Sequence, residues 1–380
     1  MVSGICGLYL IEGALVTSFR GIIRRTVKNE EQIMFPSINV SETPNMGSLT
    51  AEQIQHFNHY GFVQVDDVLD PEEILDPIIE EYEGVLDRLA DELFEAGEIS
   101  SRYEDLPFGE RVTEIYAETG RIHNQVFDFS LPFSGVKEDT PFWTGPAVFN
   151  AFTNESLLDA IESLLGPEIY SNPVQHVRVK PPEHRLPKND VGNPIIGATA
   201  WHQDHGVVIE EADETEMLTV WFPLQDTPVE KGPLKIVPSS HGGELLTHCV
   251  DYVGNGKEFA GARQIPENLF DADGAIPIPV NRGGIVLMHK KTVHGSLPNV
   301  SDEVRLSFDL RYNPTGQPTG RPLFPGFVAR SKSNPETELR DADKWTELWS
   351  ETRSMMAGIN QDGQGDHKFG RWNTDHPDCA

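Results

Sequence analysis

The chain has 380 residues, and its 60 acidic side chains outnumber its 30 Lys and Arg side chains, so that its formal net charge at pH 7 is −30. A surface this acidic repels nucleic acid and anionic lipid, and neither is an expected partner. Hydrophobic residues make up 38% of the chain and aromatic residues 9%, which is enough for a packed core and excludes general disorder. The composition gives no indication of the oligomeric state.

Three regions are predicted along the chain. Residues 1–45 form a poorly defined extension, whose apolar stretch 4–16 lacks the preceding basic residues of a signal peptide and is shorter than a membrane-spanning helix of roughly 20 residues. No membrane partner is therefore expected, with anchoring by this extension as the alternative. Residues 46–330 are predicted to form one large domain. Residues 331–380 then form a C-terminal tail with a helix at 336–357.

The chain has three cysteines, Cys6, Cys249 and Cys379. They are too few and too scattered to indicate a disulfide framework, and no CxxC spacing indicates a zinc site. Thiols of this kind are typical of a reducing compartment, so a cytoplasmic location is predicted.

The first predicted elements are a short helix and a strand. Thr50 and Gln53 have the spacing of a capping box, in which each side chain bonds to the backbone N–H of the other residue. Gly61 is a plausible stop, so a helix is predicted over 51–60. The alternating residues 62–65 are typical of a strand.

Two further helices are predicted before residue 168. Asp70-Pro71 places proline at the first position of a helix that continues to about residue 96, and Pro77 can bend or restart it. Asn154 is a suitable cap for another helix that ends at Gly166. Residues 100–150 have no clear pattern. The apolar stripes of these helices are expected to pack in the core.

Short apolar strands separated by Pro and Gly follow, mainly in residues 168–315. Helices followed by strands indicate an α+β fold, and short strands with frequent turns indicate a barrel or jelly roll. Residues 242–283 are long and Gly-rich and have no ligand pattern. In such a fold a long insertion of this kind usually serves as a lid over the mouth of a site.

The most informative motif is His202-Gln203-Asp204, with His294 far downstream. In an extended segment His202 and Asp204 point the same way. His294 follows the apolar run 284–289, which predicts a buried strand that could bring a third ligand close. Two imidazoles and one carboxylate form the ligand set of non-haem Fe(II) oxygenases, which leaves metal positions open for substrates and O2.

The strand predicted over 304–312 alternates in an unusual way. Arg305, Ser307, Asp309 and Arg311 fall on one face, while large apolar residues fall on the other. One interpretation is a half-exposed strand with a solvated polar face. The other is that Arg305 binds a carboxylate with two parallel hydrogen bonds, which lysine cannot reproduce. The spacing from His294 favours the second interpretation for Arg305, with Arg311 as the fallback.

These motifs together resemble the phytanoyl-CoA dioxygenase family of Fe(II)/2-oxoglutarate oxygenases. The segments 49–54 and 61–63 are similar to the usual start of the family domain, and the strongest motifs lie in 201–241 and 284–312. The resemblance covers roughly residues 46–315. It implies a double-stranded β-helix, the jelly roll of the cupins, with the N-terminal helices packed on it.

The resemblance also implies a ligand set. It assigns Fe(II) to His202, Asp204 and His294, which would be the catalytic residues, and it makes 2-oxoglutarate and O2 the cosubstrates. An arginine eleven residues beyond the distal histidine grips 2-oxoglutarate in the family, and Arg305 holds that position. Further residues match family positions in or beside the cosubstrate pocket: Ser296, Trp221 and Gln203.

The activity implied for residues 46–330 is hydroxylation of a small organic substrate, with release of succinate and CO2. Desaturation, cyclisation or epoxidation at the same site are alternatives that the ligands do not separate. A non-catalytic jelly-roll binding protein would be indicated by a lost ligand or arginine, and none is lost. A cupin-like isomerase would use more histidines and no such arginine. Asp204 argues against the related halogenases, which lack this carboxylate.

Other histidines and one basic segment are alternative candidates for site residues. His205 and His241 are expected to be structural, and His289 is the rival third ligand, disfavoured by its spacing to Arg305. The segment 176–180, which contains one arginine and one lysine, could form a local basic pocket together with Arg185. An ordinary strand and loop with surface charges is the alternative interpretation of that segment.

Overall fold

The computed structural model describes residues 47–132, 135–188, 195–253, 258–361, 371–372 and 376–379. Residues Pro44–Ala380 are grouped as one unit by their backbone contacts, and the fold below is that of this unit. The predicted N-terminal extension, residues 1–45, lies outside the described residues. No helix in the described part of the chain is both long enough and apolar enough to cross a membrane.

Six helices can be described: α1 (Ala51–Tyr60), α2 (Asp76–Glu95), α3 (Phe108–Thr119), α4 (Pro146–Phe152), α5 (Glu155–Leu165) and α6 (Ala342–Gln361). The helix predicted over 51–60 is confirmed. Thr50 accepts a hydrogen bond from the Gln53 backbone, and the Gln53 side chain bonds to the Thr50 N–H. Gly61, in the left-handed conformation at φ 80°, ends the helix. The helix capped by Asn154 is confirmed as α5.

The helix predicted from Asp70 to residue 96 is two elements. A short π-type turn, Pro71–Leu75, precedes α2, and Pro77 lies in the first turn of α2, where its missing N–H costs nothing. The unassigned stretch 100–150 contains α3 and the start of α4, neither of which was predicted. The C-terminal helix begins six residues later than the predicted 336, at Ala342.

The strands are β1 (Phe62–Val65), β2 (Glu168–Lys180), β3 (Leu218–Pro223), β4 (Leu234–Ile236), β5 (Cys249–Val253), β6 (Glu258–Gln264), β7 (Ile276–Ile278), β8 (Ile285–His289), β9 (His294–Ser296), β10 (Arg305–Pro314) and β11 (Phe327–Ser331). A six-stranded antiparallel sheet has the order β1-β8-β3-β10-β2-β11, and a three-stranded sheet has the order β7-β4-β9. The two sheets form the predicted jelly roll, and the helices make it an α+β fold.

The six-stranded sheet has two chemically different faces. Alternate residues such as Leu287 of β8, Val220 of β3 and Phe308 of β10 belong to one large apolar cluster with the helices. The residues between them, such as Val286 and Trp221, face the other way and pack with residues of β4 and β7. The period of two residues along each strand therefore separates the helix-covered core from the interior of the jelly roll.

Both faces of β10 are buried, so the interpretation of this strand as half-exposed is wrong. Leu306, Phe308, Leu310 and Tyr312 are fully buried on the helix face. The charged residues on the opposite face are buried as well: Arg305 is 2% exposed, Asp309 7% and Arg311 2%. The alternation of charged and apolar residues therefore distinguishes two buried environments rather than core and solvent.

The segment 242–283 is more structured than a simple lid. It contains the hairpin of β5 and β6, and β7 near its end pairs with β4 in the smaller sheet. Part of the predicted insertion is thus a strand of the jelly roll itself. The Trp201 side chain also donates a hydrogen bond to Glu267 over 3.0 Å, which ties the segment to the start of the metal motif.

Cys249 and Cys379 form a disulfide bond. The scattered cysteines indicated no disulfide framework, and this single bond was not predicted, because a separation of 130 residues in sequence does not limit proximity in the folded chain. The prediction of a reducing compartment loses the support that it drew from cysteine spacing.

Replacing Trp345 with Ala should lower the free energy of unfolding by about 3–5 kcal/mol, because the indole is fully buried against Phe149 and Phe152. Urea unfolding followed by circular dichroism measures this loss. Met355→Ala on the same helix is the control, since Met355 is 42% exposed and should lose no more than about 0.5 kcal/mol. Equal losses in the two variants would contradict the docking of α6 through Trp345.

Candidate functional site

His202 and His294 are brought together by their own backbones. The His202 N–H donates to the His294 carbonyl over 2.8 Å, and the His294 N–H donates back over 3.0 Å, which makes an isolated antiparallel bridge. Directly opposed residues of this kind place their side chains side by side. The two imidazole rings are 4.2 Å apart between centroids. The pairing of β9 with the segment before Asp204 therefore places His294, which is distant in sequence, next to His202.

Each imidazole is oriented by a hydrogen bond at Nδ1. His202 Nδ1 lies 2.9 Å from the Ala200 carbonyl, and His294 Nδ1 lies 2.9 Å from the Thr292 carbonyl. A carbonyl oxygen only accepts, so Nδ1 carries the proton and Nε2 keeps its lone pair. Burial lowers the pKa of His202 to about 3, which keeps this ring neutral and able to bind a metal.

Asp204 completes the group. Its Oδ1 lies 3.7 Å from His202 Nε2 and 3.9 Å from His294 Nε2. The three ligand atoms all lie within 4.8 Å of one another, and these residues form the one candidate metal-binding group among the described His, Cys, Asp and Glu. His289 is not part of it, because it accepts a hydrogen bond from the Lys291 N–H at a different position.

The buried Asp204 carboxylate is stabilised by two neighbours. Thr219 donates a hydrogen bond to Oδ2 and Arg311 donates to Oδ1. Burial by itself would raise the pKa of Asp204, but the Arg311 guanidinium and the two histidines reverse this effect and lower the pKa below its ordinary value. Asp204 is therefore an anion, as a metal ligand must be.

The donor set fits a ferrous ion. Two neutral imidazoles and one carboxylate are the protein ligands of the facial Fe(II) sites, whereas structural zinc sites use four ligands and calcium sites use oxygen only. His202 and His294 line a pocket, so a metal held by these two residues and Asp204 would be accessible from it. The pocket is lined by Arg178, Thr199, His202, Trp221, Leu234, His294, Gly295, Ser296, Arg305 and Asp309.

Arg305 is a buried cation in this pocket. Its Nη1 donates to the Gly232 carbonyl over 2.9 Å, its Nε has no hydrogen-bond partner, and no carboxylate of the described residues pairs with it. The Trp221 ring lies 5.7 Å from the guanidinium carbon. Burial lowers the pKa of Arg305, because desolvation makes the charged guanidinium less favourable. An anionic ligand would offset this desolvation cost. Arg311, the fallback anchor, is already paired with Asp204.

Ser296 lines the same pocket as Arg305, and its hydroxyl accepts a hydrogen bond from Lys180. Lys180 Nζ donates to Ser296 Oγ over 2.7 Å and to the Leu297 carbonyl over 3.0 Å, while the Thr199 N–H donates to the same hydroxyl over 2.8 Å. Burial and the nearby Arg305 lower the pKa of Lys180 well below its ordinary value. Lys180 was not predicted as a separate site residue, although its position two residues after Arg178 on β2 places both side chains on the same face of the strand.

Gln203 does not face the pocket. Its side chain donates to the Lys291 carbonyl over 2.7 Å and accepts from the Leu246 N–H over 2.8 Å. In a strand the residue between two inward-pointing ligands must point away from them. The prediction that Gln203 contacts 2-oxoglutarate therefore has no support in this geometry, and the side chain instead ties the metal motif to the loops behind it.

The C-terminal tail reaches the same region from behind. The Trp372 ring stacks on His248 at 4.9 Å between centroids, and its Nε1 donates to the Gly206 carbonyl over 2.7 Å. His248 in turn accepts a hydrogen bond from the Gln203 N–H over 2.9 Å. A Cβ at Gly206 would lie 2.3 Å from this imidazole, so only glycine fits. No local pattern identified His248 or Trp372 as neighbours of the motif, because they are distant in sequence.

His205 and His241 have structural partners. His205 Nε2 lies 2.9 Å from Asp213, and the His205 N–H donates to the Lys290 carbonyl. His241 Nε2 lies 3.2 Å from the Asn58 carbonyl. These contacts hold loops together around the jelly roll and lie outside the pocket lining.

The family model described as phytanoyl-CoA dioxygenase (PhyH) matches residues 57–307, and the chain belongs to this family. It is similar to the phytanoyl-CoA dioxygenase domain-containing protein 1 of Bos taurus, with 34% identity over 116 residues, 30% of this chain and 38% of that protein. The protein of the same name from Danio rerio is 23% identical over 68% of this chain and 88% of its own length.

Solved structures are also similar. One described as a non-heme monooxygenase, ThoJ in its apo form, aligns with a TM-score of 0.46 and 20% identity over 82% of this chain and 98% of its own. The match to the mammalian relatives is local: it spans 38% of the length of the Bos taurus protein and 38% of that from Rattus norvegicus.

Replacing Arg311 with Met should lower the free energy of unfolding of the metal-free protein by about 3–5 kcal/mol, because two buried carboxylates, Asp204 and Asp309, lose their shared guanidinium. Urea unfolding in the presence of a chelator measures this loss. Arg282→Met removes a partly exposed ion pair with Asp76 and should cost no more than about 1 kcal/mol. A similarly small loss for Arg311→Met would show that the carboxylates are compensated in another way.

Proposed function

We propose that the protein is an Fe(II)- and 2-oxoglutarate-dependent dioxygenase that hydroxylates a small organic substrate, with release of succinate and CO2. One observation supports this most strongly. The two histidines of a group of two histidines and one aspartate line the same pocket as a buried guanidinium that has no carboxylate partner among the described residues. A metal alone would need only the two histidines and the aspartate. The unpaired buried guanidinium supports the binding of an organic anion in the same pocket.

His202, Asp204 and His294 would hold the iron. When bound, Fe(II) supplies the chemistry that couples decarboxylation of 2-oxoglutarate to oxidation of the substrate. The protein contributes the preparation of its ligands. The carbonyls of Ala200 and Thr292 fix the proton of each imidazole on Nδ1, and Arg311 keeps Asp204 ionised.

Arg305 would bind the carboxylate of 2-oxoglutarate that lies farther from the metal. The planar guanidinium can donate two parallel hydrogen bonds to a carboxylate, and its burial strengthens both. Trp221 covers the guanidinium and helps to exclude water, and Ser296, whose hydroxyl accepts from Lys180, offers a further polar contact in the pocket. Hydroxylation is the outcome proposed here, and desaturation, cyclisation or epoxidation would use the same residues.

His202→Ala and Asp204→Ala should each abolish stoichiometric Fe(II) binding, because a site with two ligands in place of three is weak. Anaerobic titration with Fe(II), or with Co(II) as a spectroscopic substitute, measures the stoichiometry. His289→Ala is the matched control and should still bind one equivalent, since His289 lies outside the ligand group. Full occupancy in both ligand variants would rule out this metal site.

Arg305→Lys should weaken 2-oxoglutarate binding while the metal stays bound, because a point charge replaces a planar fork. A lost buried charge pair costs about 2–5 kcal/mol, so the affinity should fall at least about tenfold. Calorimetric titration of the metal-loaded protein with 2-oxoglutarate measures the change. Arg185→Lys, at an exposed ion pair with Glu114, is the control. An unchanged affinity in Arg305→Lys would place the carboxylate on another residue.

A further inference from the structure

A chain of alternating charges connects the metal motif with the opening of the pocket. Arg311 Nη2 contacts Asp204 and lies 3.0 Å from Asp309 Oδ1. The other oxygen of Asp309 accepts a hydrogen bond from Arg178 Nη2 over 3.2 Å. Asp309 therefore joins two guanidinium groups, one at the metal ligand and one on β2. The order of the charged residues in this series is Asp204, Arg311, Asp309 and Arg178.

The solvent exposure of these four charged side chains increases steeply toward Arg178. The side chains of Asp204 and Arg311 are 1% and 2% exposed and that of Asp309 is 11% exposed, but Arg178 is 42% exposed. Arg178 also lines the pocket that contains the metal ligands and Arg305. It is thus the cation of this pocket that solvent, or an incoming molecule, reaches first.

Asp309 orients Arg178 without saturating it. A guanidinium has five N–H donors, and among the described residues the Asp309 carboxylate is the one acceptor bonded to Arg178. Asp309 is itself fixed by Arg311, so this side of Arg178 is held by buried groups while the rest of its fork is available. A preorganised guanidinium of this kind is suited to carboxylate or phosphate recognition.

The charge of the pocket favours an anion as the occupant. Asp204 pairs with Arg311, Asp309 with Arg178, and Lys180 interacts with Glu183. A divalent metal and the dianion of 2-oxoglutarate cancel each other. The Arg305 charge then stays in excess, within a protein whose net charge is −30. Such a local positive potential attracts an anionic substrate that the rest of the surface would repel.

We propose that Arg178 selects the primary substrate by binding an anionic oxyacid group, a carboxylate or a phosphate, and that Asp309 is the positioning residue for Arg178. This proposal rests on the dioxygenase function proposed above and adds the substrate class to it. The opposing explanation is that Arg178 serves only to neutralise Asp309. In that case its replacement would change stability without changing any preference among ligands.

The test compares acids with their neutral analogues on protein that is saturated with Fe(II) and 2-oxoglutarate under nitrogen. Loading is verified by the 2-oxoglutarate-dependent visible absorption of the iron complex. The probes are linear carboxylates and alkyl phosphates of several chain lengths, each with the primary amide or alcohol of the same length. Binding near the metal is measured by paramagnetic relaxation of the probe protons. The variants are Arg178→Gln, Arg178→Lys and, as an exposed control of similar accessibility, Arg185→Gln.

The wild-type protein should bind at least one acid about tenfold more tightly than its neutral analogue, as expected for one charge-assisted contact. Arg178→Gln should abolish this preference, Arg178→Lys should keep part of it, and Arg185→Gln should match the wild type. The preferred headgroup, carboxylate or phosphate, identifies the oxyanion. A wild type without any acid preference, or a preference that survives in Arg178→Gln, overturns the assignment. A wild type that never forms the 2-oxoglutarate-dependent absorption overturns the proposed function, and this inference with it.

Discussion

The pairing of the buried Asp204 carboxylate with Arg311 is the interaction on which the site depends. An ionised carboxylate that is 1% exposed is tolerated only with a close cation, and Arg311, equally buried, needs more than one anion in turn. Asp309 meets that need and is itself compensated by Arg178 at the pocket opening. The electrostatic requirement of the candidate metal ligand Asp204 therefore accounts for the charged residues on the inner face of β10 and at the neighbouring position of β2.

Strand β10 contributes both to the hydrophobic core and to the candidate site, because its two faces are buried in different surroundings. The apolar residues of β10 pack against the helices, while Arg305, Asp309 and Arg311 face the interior of the jelly roll. Burial in a packed wall fixes the rotamers of these charged side chains. Charged side chains on such a strand are more precisely positioned than side chains on loops, so that Arg311 meets Asp204 in a defined geometry.

The loops behind the metal motif reinforce it from the opposite side. Gln203 bonds to the backbone near Leu246 and Lys291, and His248 accepts from the Gln203 N–H while stacking on Trp372. The disulfide between Cys249 and Cys379 holds the tail in this place. Gln203 thus anchors the motif to the loops behind it.

The sequence by itself determined the features that depend on local spacing: the capped helices α1 and α5, the strand alternation, and His202, Asp204, His294 and Arg305 as candidates. These follow from periodicity and residue chemistry within a few turns or strands. Tertiary structure decided the rest. Four features depend on residues that are far apart in the chain. They are the burial of both faces of β10, the pairing of Arg311 with Asp204, the hydrogen bond from Lys180 to Ser296, and the Cys249–Cys379 bond. Local pattern fixes the direction of a side chain, but only the packing of distant strands determines what that side chain meets.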